Sequence, residues 1–162
     1  MQRVVTPPVS HIDWQPCWRL IPSRFPPVGL FDRVASPKDL DIIYAIEALT
    51  NDRIRDEIGE IRLVAAEDRI TGEGTTPIMA AFTHPNPDGS RFSDGSYGVY
   101  YAGNRIETAI AETRFHRARF LAATNQPPIE IDMRSFTSNL TVDLHDIRNK
   151  QREFPDIYDP DP

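Results

Sequence analysis

Proline decides where this chain can build regular structure. Fifteen prolines stand against eight glycines in 162 residues, crowded into the first 40 residues, the Pro85–Pro87 segment and the tail from Pro155 to Pro162. Each ring fixes φ and removes a backbone donor, so these stretches read as irregular and stiff. Residues 1–16 accordingly read as an irregular arm. The first strand is expected at Cys17–Ile21, with Arg19 inside it and Pro22 ending it. Ser36 can cap a helix that has Pro37 at its first position and Asp39 and Asp41 at the positive end of its dipole. Leu40, Ile43, Ala45 or Ile46, and Leu49 then recur at helical spacing. A second helix is expected from Asp52 to about Glu60, striped by Ile54, Ile58 and Ile61, the pair lying on one side of a sheet.

Beyond a Gly72-Glu73-Gly74 loop, a short apolar run from Pro77 to Phe82 is bounded by the turn cluster His84–Gly89. Gly98-Val99-Tyr100-Tyr101-Ala102 reads as a compact strand. Asn104 with Glu107 three residues on resembles a capping box, and it opens a helix running to about Ala123 and closed by Pro127-Pro128. Ile106, Ala109, Ile110, Thr113, Phe120 and Leu121 mark its apolar face. Ile129–Met133 and Leu140–Leu144 alternate as strands do. Strands and helices in this irregular order predict an α+β domain rather than repeated βαβ units, and the length suits one domain.

Several function classes drop out. No apolar run approaches the roughly 18 residues of a membrane-spanning helix, and the N-terminus carries no secretory h-region. The single Cys17 cannot form an internal disulfide, and a cytoplasmic location is expected. A net charge of −6 with scattered arginines argues against direct nucleic-acid binding through phosphate neutralisation. There is no phosphate loop, no dinucleotide-binding glycine signature and no nucleophile elbow. The four histidines are too dispersed for a metal site, so no metal is expected.

What remains is a series of residues placed at element ends: Arg19, Arg91, Tyr101 and Glu112. On a helical wheel Glu112 borders the apolar stripe with His116 one turn on, so its carboxylate is expected beside the core. Each also has a plain structural reading. Arg19 can snorkel or pair with a carboxylate, Arg91 can hold its turn, Tyr100 and Tyr101 can be packing residues, and Glu112 can pair with Arg105 or His116 on a helix surface. Asp143 and His145 fit a solvated strand face. The residues alone lead as far as an α+β domain.

The ordered blocks Cys17-Trp18-Arg19-Leu20, Arg91-Phe92-Ser93-Asp94-Gly95, Gly98-Val99-Tyr100-Tyr101-Ala102 and Thr108–Thr113 resemble those of the RES-domain family. The resemblance covers roughly residues 17–160. It implies an ADP-ribosyltransferase-like core of small twisted β-sheets with flanking helices, occupying residues 17–162. It also implies the toxin of a bacterial type II toxin–antitoxin system, neutralised by an Xre-type partner with a helix-turn-helix domain. NAD⁺ would be the substrate, cleaved at its nicotinamide–ribose bond, with ADP-ribose passing to a host protein, to phosphate or to water. The insertion between Arg19 and Arg91 and the segment Arg114–Arg117 look most like the branch that modifies ribose-phosphate pyrophosphokinase. By position, Arg19 and Arg91 would hold the diphosphate, Tyr101 would stack on the nicotinamide or its ribose, and Glu112 would support charge on the ribose. The family's serine lies in a helix beyond a stretch like Asp156–Asp159, and this chain stops at Pro162, so the resemblance implies a domain lacking its C-terminal part. The alternative expectation is a catalytically silent module that only docks the antitoxin.

Overall fold

The computed structural model describes residues 6–23, 30–33, 36, 39, 42, 59–124 and 127–159. The helices expected at 36–49 and 52–60 lie almost wholly outside them. The chain divides into two compact units, one made of Met1–Pro22 with Ala102–Pro162 and the other of Ser23–Tyr101.

The first unit is built on two long antiparallel strands, β1 (Val9–Pro22) and β2 (Met133–His145). β1 starts well inside the segment read as an irregular arm, which corrects that reading. Pro7 and Pro8 lie before the strand and Pro16 falls in a register break between Trp14 and Cys17, where a missing N–H costs no ladder bond. Across that break β1 advances three residues, Trp14 to Cys17, while β2 advances two, Leu140 to Ser138. One extra residue reverses the phase of a strand. Ser10, Ile12 and Trp14 therefore share a face with Cys17, Arg19 and Ile21, opposite Val142, Leu140, Ser138, Phe136 and Arg134. The even-numbered residues of β2 from Arg134 to Val142 are half-buried and the odd ones from Ser135 to Asp143 exposed. Cys17 is fully buried, its sulfur 3.1 Å from Ser138 Oγ. On the exposed face His11 Nδ1 lies 2.7 Å from Asp143 Oδ1, so Asp143 pairs across the strands.

Ile129–Met133 and Leu140–Leu144 were expected as two strands; instead Ile129–Asp132 precede the ladder, and Met133–His145 form a single strand. Just beyond it, the Asp146 amide donates to Pro8 O at 2.7 Å. The Asp146 carboxylate takes hydrogen bonds from Arg148 Nη2 at 2.6 Å and from Ser10 Oγ at 3.3 Å. Arg148 is the larger cause that holds this carboxyl well below the usual carboxylate range. A charge-assisted latch thus closes the open end of the strand pair.

A helix over Ile106–Ala122 packs against β1. Its start differs from the expected capping box: the N-cap is Arg105, in an extended conformation and without a side-chain cap bond. Gly103 and Trp18 exchange backbone hydrogen bonds of 2.8 and 2.7 Å, which draws the chain toward the strand before the helix begins. A β-carbon at Gly103 would sit 3.0 Å from both Ala109 N and Arg105 O, so the chain enters the helix tightly at this residue. The covered stripe is Ile106, Ala109, Thr113, Arg117 and Leu121, whereas Ile110 and Phe120 are exposed.

In the second unit, α1 (Leu30–Arg33) buries Phe31 and presents Asp32 to the start of α2 (Thr76–Thr83). Asp32 Oδ1 accepts from the Thr76 amide at 3.0 Å and its hydroxyl at 2.9 Å, satisfying a donor that the helix end leaves open. The apolar run Pro77–Phe82 is therefore helical, and it buries Met79 and Ala81 with Thr83. Ile61 is buried in the short turn Ile61–Leu63 that packs on α2. The helix of the first unit is α3 in chain order. Helices together with a small two-stranded sheet make the α+β class. Among the described residues no helix is long and apolar enough to cross a membrane.

Candidate functional site

Of the four expected residues, Arg91 and Tyr101 belong to the second unit and Arg19 and Glu112 to the first. The second unit brings its pair together through their neighbours. Ser90 and Ser93 form an isolated antiparallel bridge, with Ser90 N donating to Ser93 O at 2.7 Å, and Arg91 and Phe92 stand at its tip. Side chains further along tie the following turn. Ser93 Oγ donates to Tyr97 O at 2.6 Å and accepts from Gly95 N at 3.1 Å, and the Tyr97 hydroxyl donates to Phe92 O. The Ser96 hydroxyl and amide donate to Asp94 Oδ1 at 2.5 and 2.9 Å. These bonds, the hydroxyl's first, hold the Asp94 carboxyl below its ordinary value.

Tyr101 then seats this tip. Its hydroxyl donates to Ser90 Oγ at 3.0 Å and its ring stacks on Phe92 at 6.4 Å between centroids. The Arg91 guanidinium carbon lies 5.7 Å from the centroid of the same Phe92 ring, a cation–π distance. Arg91, Phe92 and Tyr101 form one layered group, its arginine exposed and its tyrosine half-buried. A guanidinium presented beside aromatic faces can bind an oxyanion and stack a planar ring.

The segment that carries Tyr101 was expected to be a strand, and the structure corrects this: residues 98–102 are neither helix nor strand. Aromatic and β-branched residues give Gly98–Ala102 a strand's composition, yet it packs by side chains and close backbone approach instead. Tyr100 stacks on Phe82 of α2 at 6.4 Å. A β-carbon at Gly98 would collide with the Ala81 carbonyl and come within 2.5 Å of Phe82 Cα. Glycine here is a requirement of the approach to α2, and that approach aims Tyr101.

In the first unit the register break puts Arg19 on the same covered face as Ile12, Trp14 and Cys17, half-buried and paired across the strands with Phe136. Glu112 is exposed on α3, one position beyond the covered stripe. The expectation that its carboxylate borders the core is thereby corrected: α3 turns Thr113 inward and leaves Glu112 to solvent. Among the described residues no group of three or more His, Cys, Asp or Glu is placed to hold a metal.

Two contributors were not singled out from sequence. Ser90 is the hydrogen-bond partner of Tyr101, and Phe92 is the surface shared by Arg91 and Tyr101. Both flank Arg91 directly, which was the available signal.

An α+β chain that presents arginine, tyrosine and glutamate in this order matches the RES domain over residues 66–162. The chain belongs to the RES-domain family, which is associated with NAD-utilising toxin domains. Arg91, Tyr101 and Glu112 fall inside the matched segment, and Arg19 lies before it. The chain is also similar to the uncharacterized protein y4oC of Sinorhizobium fredii (strain NBRC 101917 / NGR234), at 34% identity over 131 residues. That alignment covers 81% of this chain and 56% of the relative, so the chain spans about half of that protein's length. No solved structure matches it significantly.

Proposed function

We propose that this chain consumes NAD⁺ as the toxin of a bacterial type II toxin–antitoxin pair, acting in the cytoplasm and neutralised by an Xre-type helix-turn-helix partner. The observation that carries the reading is the seating of the Arg91 tip on Tyr101 within the segment matched by the RES domain. The strand pair and α3 are read as part of an ADP-ribosyltransferase-like core.

In this reading Arg91 and Arg19 supply guanidinium forks to the diphosphate oxygens. Tyr101 offers its ring face to the nicotinamide or its ribose. As the C1′–N bond breaks, nicotinamide leaves with the bonding pair and positive charge develops on the ribose. Glu112, negatively charged and on a rigid helix, stabilises that charge directly or through the 2′-hydroxyl. An acceptor then forms the new bond at C1′ and gives up its proton. The acceptor is a protein side chain, with ribose-phosphate pyrophosphokinase as the candidate target, or phosphate or water.

Nicotinamide released from NAD⁺ by the purified chain tests the activity. Mass spectrometry of a treated lysate separates acceptors: a protein gaining ADP-ribose supports transfer, and NAD⁺ depletion with no modified protein supports phosphorolysis or hydrolysis. Tight association with the antitoxin without NAD⁺ consumption would overturn the enzymatic reading.

A further inference from the structure

Phe92 meets two partners on the Arg91 tip. The Arg91 guanidinium carbon lies 5.7 Å from the centroid of its ring, and the Tyr101 ring stacks on it at 6.4 Å with 25° between the planes. The backbone of Phe92 is fixed as well. Its carbonyl accepts the Tyr97 hydroxyl, Ser93 Oγ donates to the Tyr97 carbonyl at 2.6 Å, and the Ser90–Ser93 bridge closes the tip. A long arginine side chain on an exposed turn otherwise has wide rotamer freedom, which a bound phosphate must take away. A guanidinium resting on a ring that is itself held has less to lose, and its weak hydration suits it to that surface. Arg91 is exposed and Phe92 is 42% exposed, so an oxyanion reaches the guanidinium without rearranging the turn.

We propose that Phe92 is a positioning residue for phosphate recognition, its ring holding the Arg91 guanidinium in the orientation that meets the oxyanion. The inference rests on the proposed NAD⁺ chemistry, in which that oxyanion belongs to the substrate's diphosphate. Phe92 acts through Arg91 and makes no bond to the substrate, so its effect falls on binding and leaves the step at C1′ alone. Tyr101 and Tyr97 support it, one at the ring and one at the carbonyl. What matters at this position is a π face rather than apolar bulk: an aromatic replacement keeps the function and an aliphatic one of similar size loses it.

The experiment compares the whole wild-type chain with Phe92→Leu, Phe92→Tyr, Arg91→Ala and the Phe92→Leu/Arg91→Ala double variant, with circular dichroism to verify folding. Calorimetry gives NAD⁺ affinity, and nicotinamide release gives KM and kcat. Phe92→Leu is expected to weaken NAD⁺ binding and raise KM about two- to fivefold, the scale of an exposed cation–π contact, with kcat unchanged. Phe92→Tyr should restore wild-type affinity. In the Arg91→Ala background the leucine change should add nothing, because its effect runs through the guanidinium. An equal loss in both backgrounds overturns the proposal, as does a Phe92→Tyr variant as weak as Phe92→Leu. If Phe92→Leu fails to fold, Phe92→Met, which also lacks a π face, takes its place. NMR of the Arg91 side chain separates this inference from the NAD⁺ reading. Side-chain protons shifted upfield by the ring in the wild type, and released in Phe92→Leu, support the positioning role; absence of that shift overturns it. A wild type that shows the shift but binds no NAD⁺ refutes instead the NAD⁺ chemistry.

Discussion

Tyr101 holds the Ser90 hydroxyl at 3.0 Å and the Phe92 ring at 6.4 Å, so one tyrosine grips both residues that flank Arg91. Tyr101→Phe keeps the ring stack and deletes the hydrogen bond. A single part-buried bond of this kind contributes about 1 kcal/mol. A comparable drop in unfolding free energy is expected, with a rise in KM for NAD⁺ as the Arg91 tip loosens. Ser90→Ala should have the same effect. Because the two changes remove one shared bond, the double variant should be little worse than either single one, which a double-mutant cycle in urea measures.

Gly98→Ala should be among the most damaging small substitutions in the second unit. The added methyl meets the Ala81 carbonyl, and backbone cannot step aside as a flexible side chain would. Overpacking of this kind costs about 1–3 kcal/mol. Thermal unfolding of the variant should show a clearly lowered Tm, with activity falling further than stability because the same shift displaces Tyr101.

How much of this was legible beforehand varied with the cause of each element. The extent of α3 could be read because local signals at both ends agree: an apolar period begins at Ile106, and Pro127-Pro128 forbids continuation. β1 was underestimated because the crowded prolines of the first 40 residues read as irregular, whereas a bulge absorbs Pro16. Gly98–Ala102 misled in the other direction: its composition suits a strand, and only contact with α2 shows why it makes no ladder. At the candidate site, residue order pointed to Arg91 and Tyr101, but their association depends on serine and aspartate side chains folding the intervening turn. Glu112 could be assigned to the helix but not to its exposed side, because the helix carries apolar residues all round, with Ile110, Phe115 and Phe120 left exposed.

The latch at Asp146 gives stability a definite dependence on pH. Its carboxyl is depressed in the folded chain below the ordinary 3.8. The unfolded state therefore binds this proton first, and the stabilisation is fully present above about pH 4 and lost as pH falls toward the depressed folded value. Asp146→Asn should be less stable than wild type at pH 7, and the two should converge below pH 3. Urea unfolding across that range measures the convergence.

Deleting Gln15 tests the register break. The deletion removes the extra residue, so an intact ladder would carry either Ile12 and Trp14 or Cys17 and Arg19 on the exposed face. Exposure of so much apolar surface should cost several kcal/mol at about 25 cal/mol per Å². Loss of cooperative unfolding, followed by near-ultraviolet circular dichroism of the tryptophans, is the expected result.

The most direct measurement of the central claim is nicotinamide release from NAD⁺ by the wild-type chain beside Glu112→Gln and Arg91→Ala. Steady release by the wild type is expected, reduced about 100- to 1,000-fold in Glu112→Gln, the scale of a lost electrostatic contact to a developing charge. Arg91→Ala should raise KM chiefly. Release at wild-type rates from both folded variants would contradict the roles assigned to these residues, and none from the wild type would contradict the NAD⁺ chemistry itself.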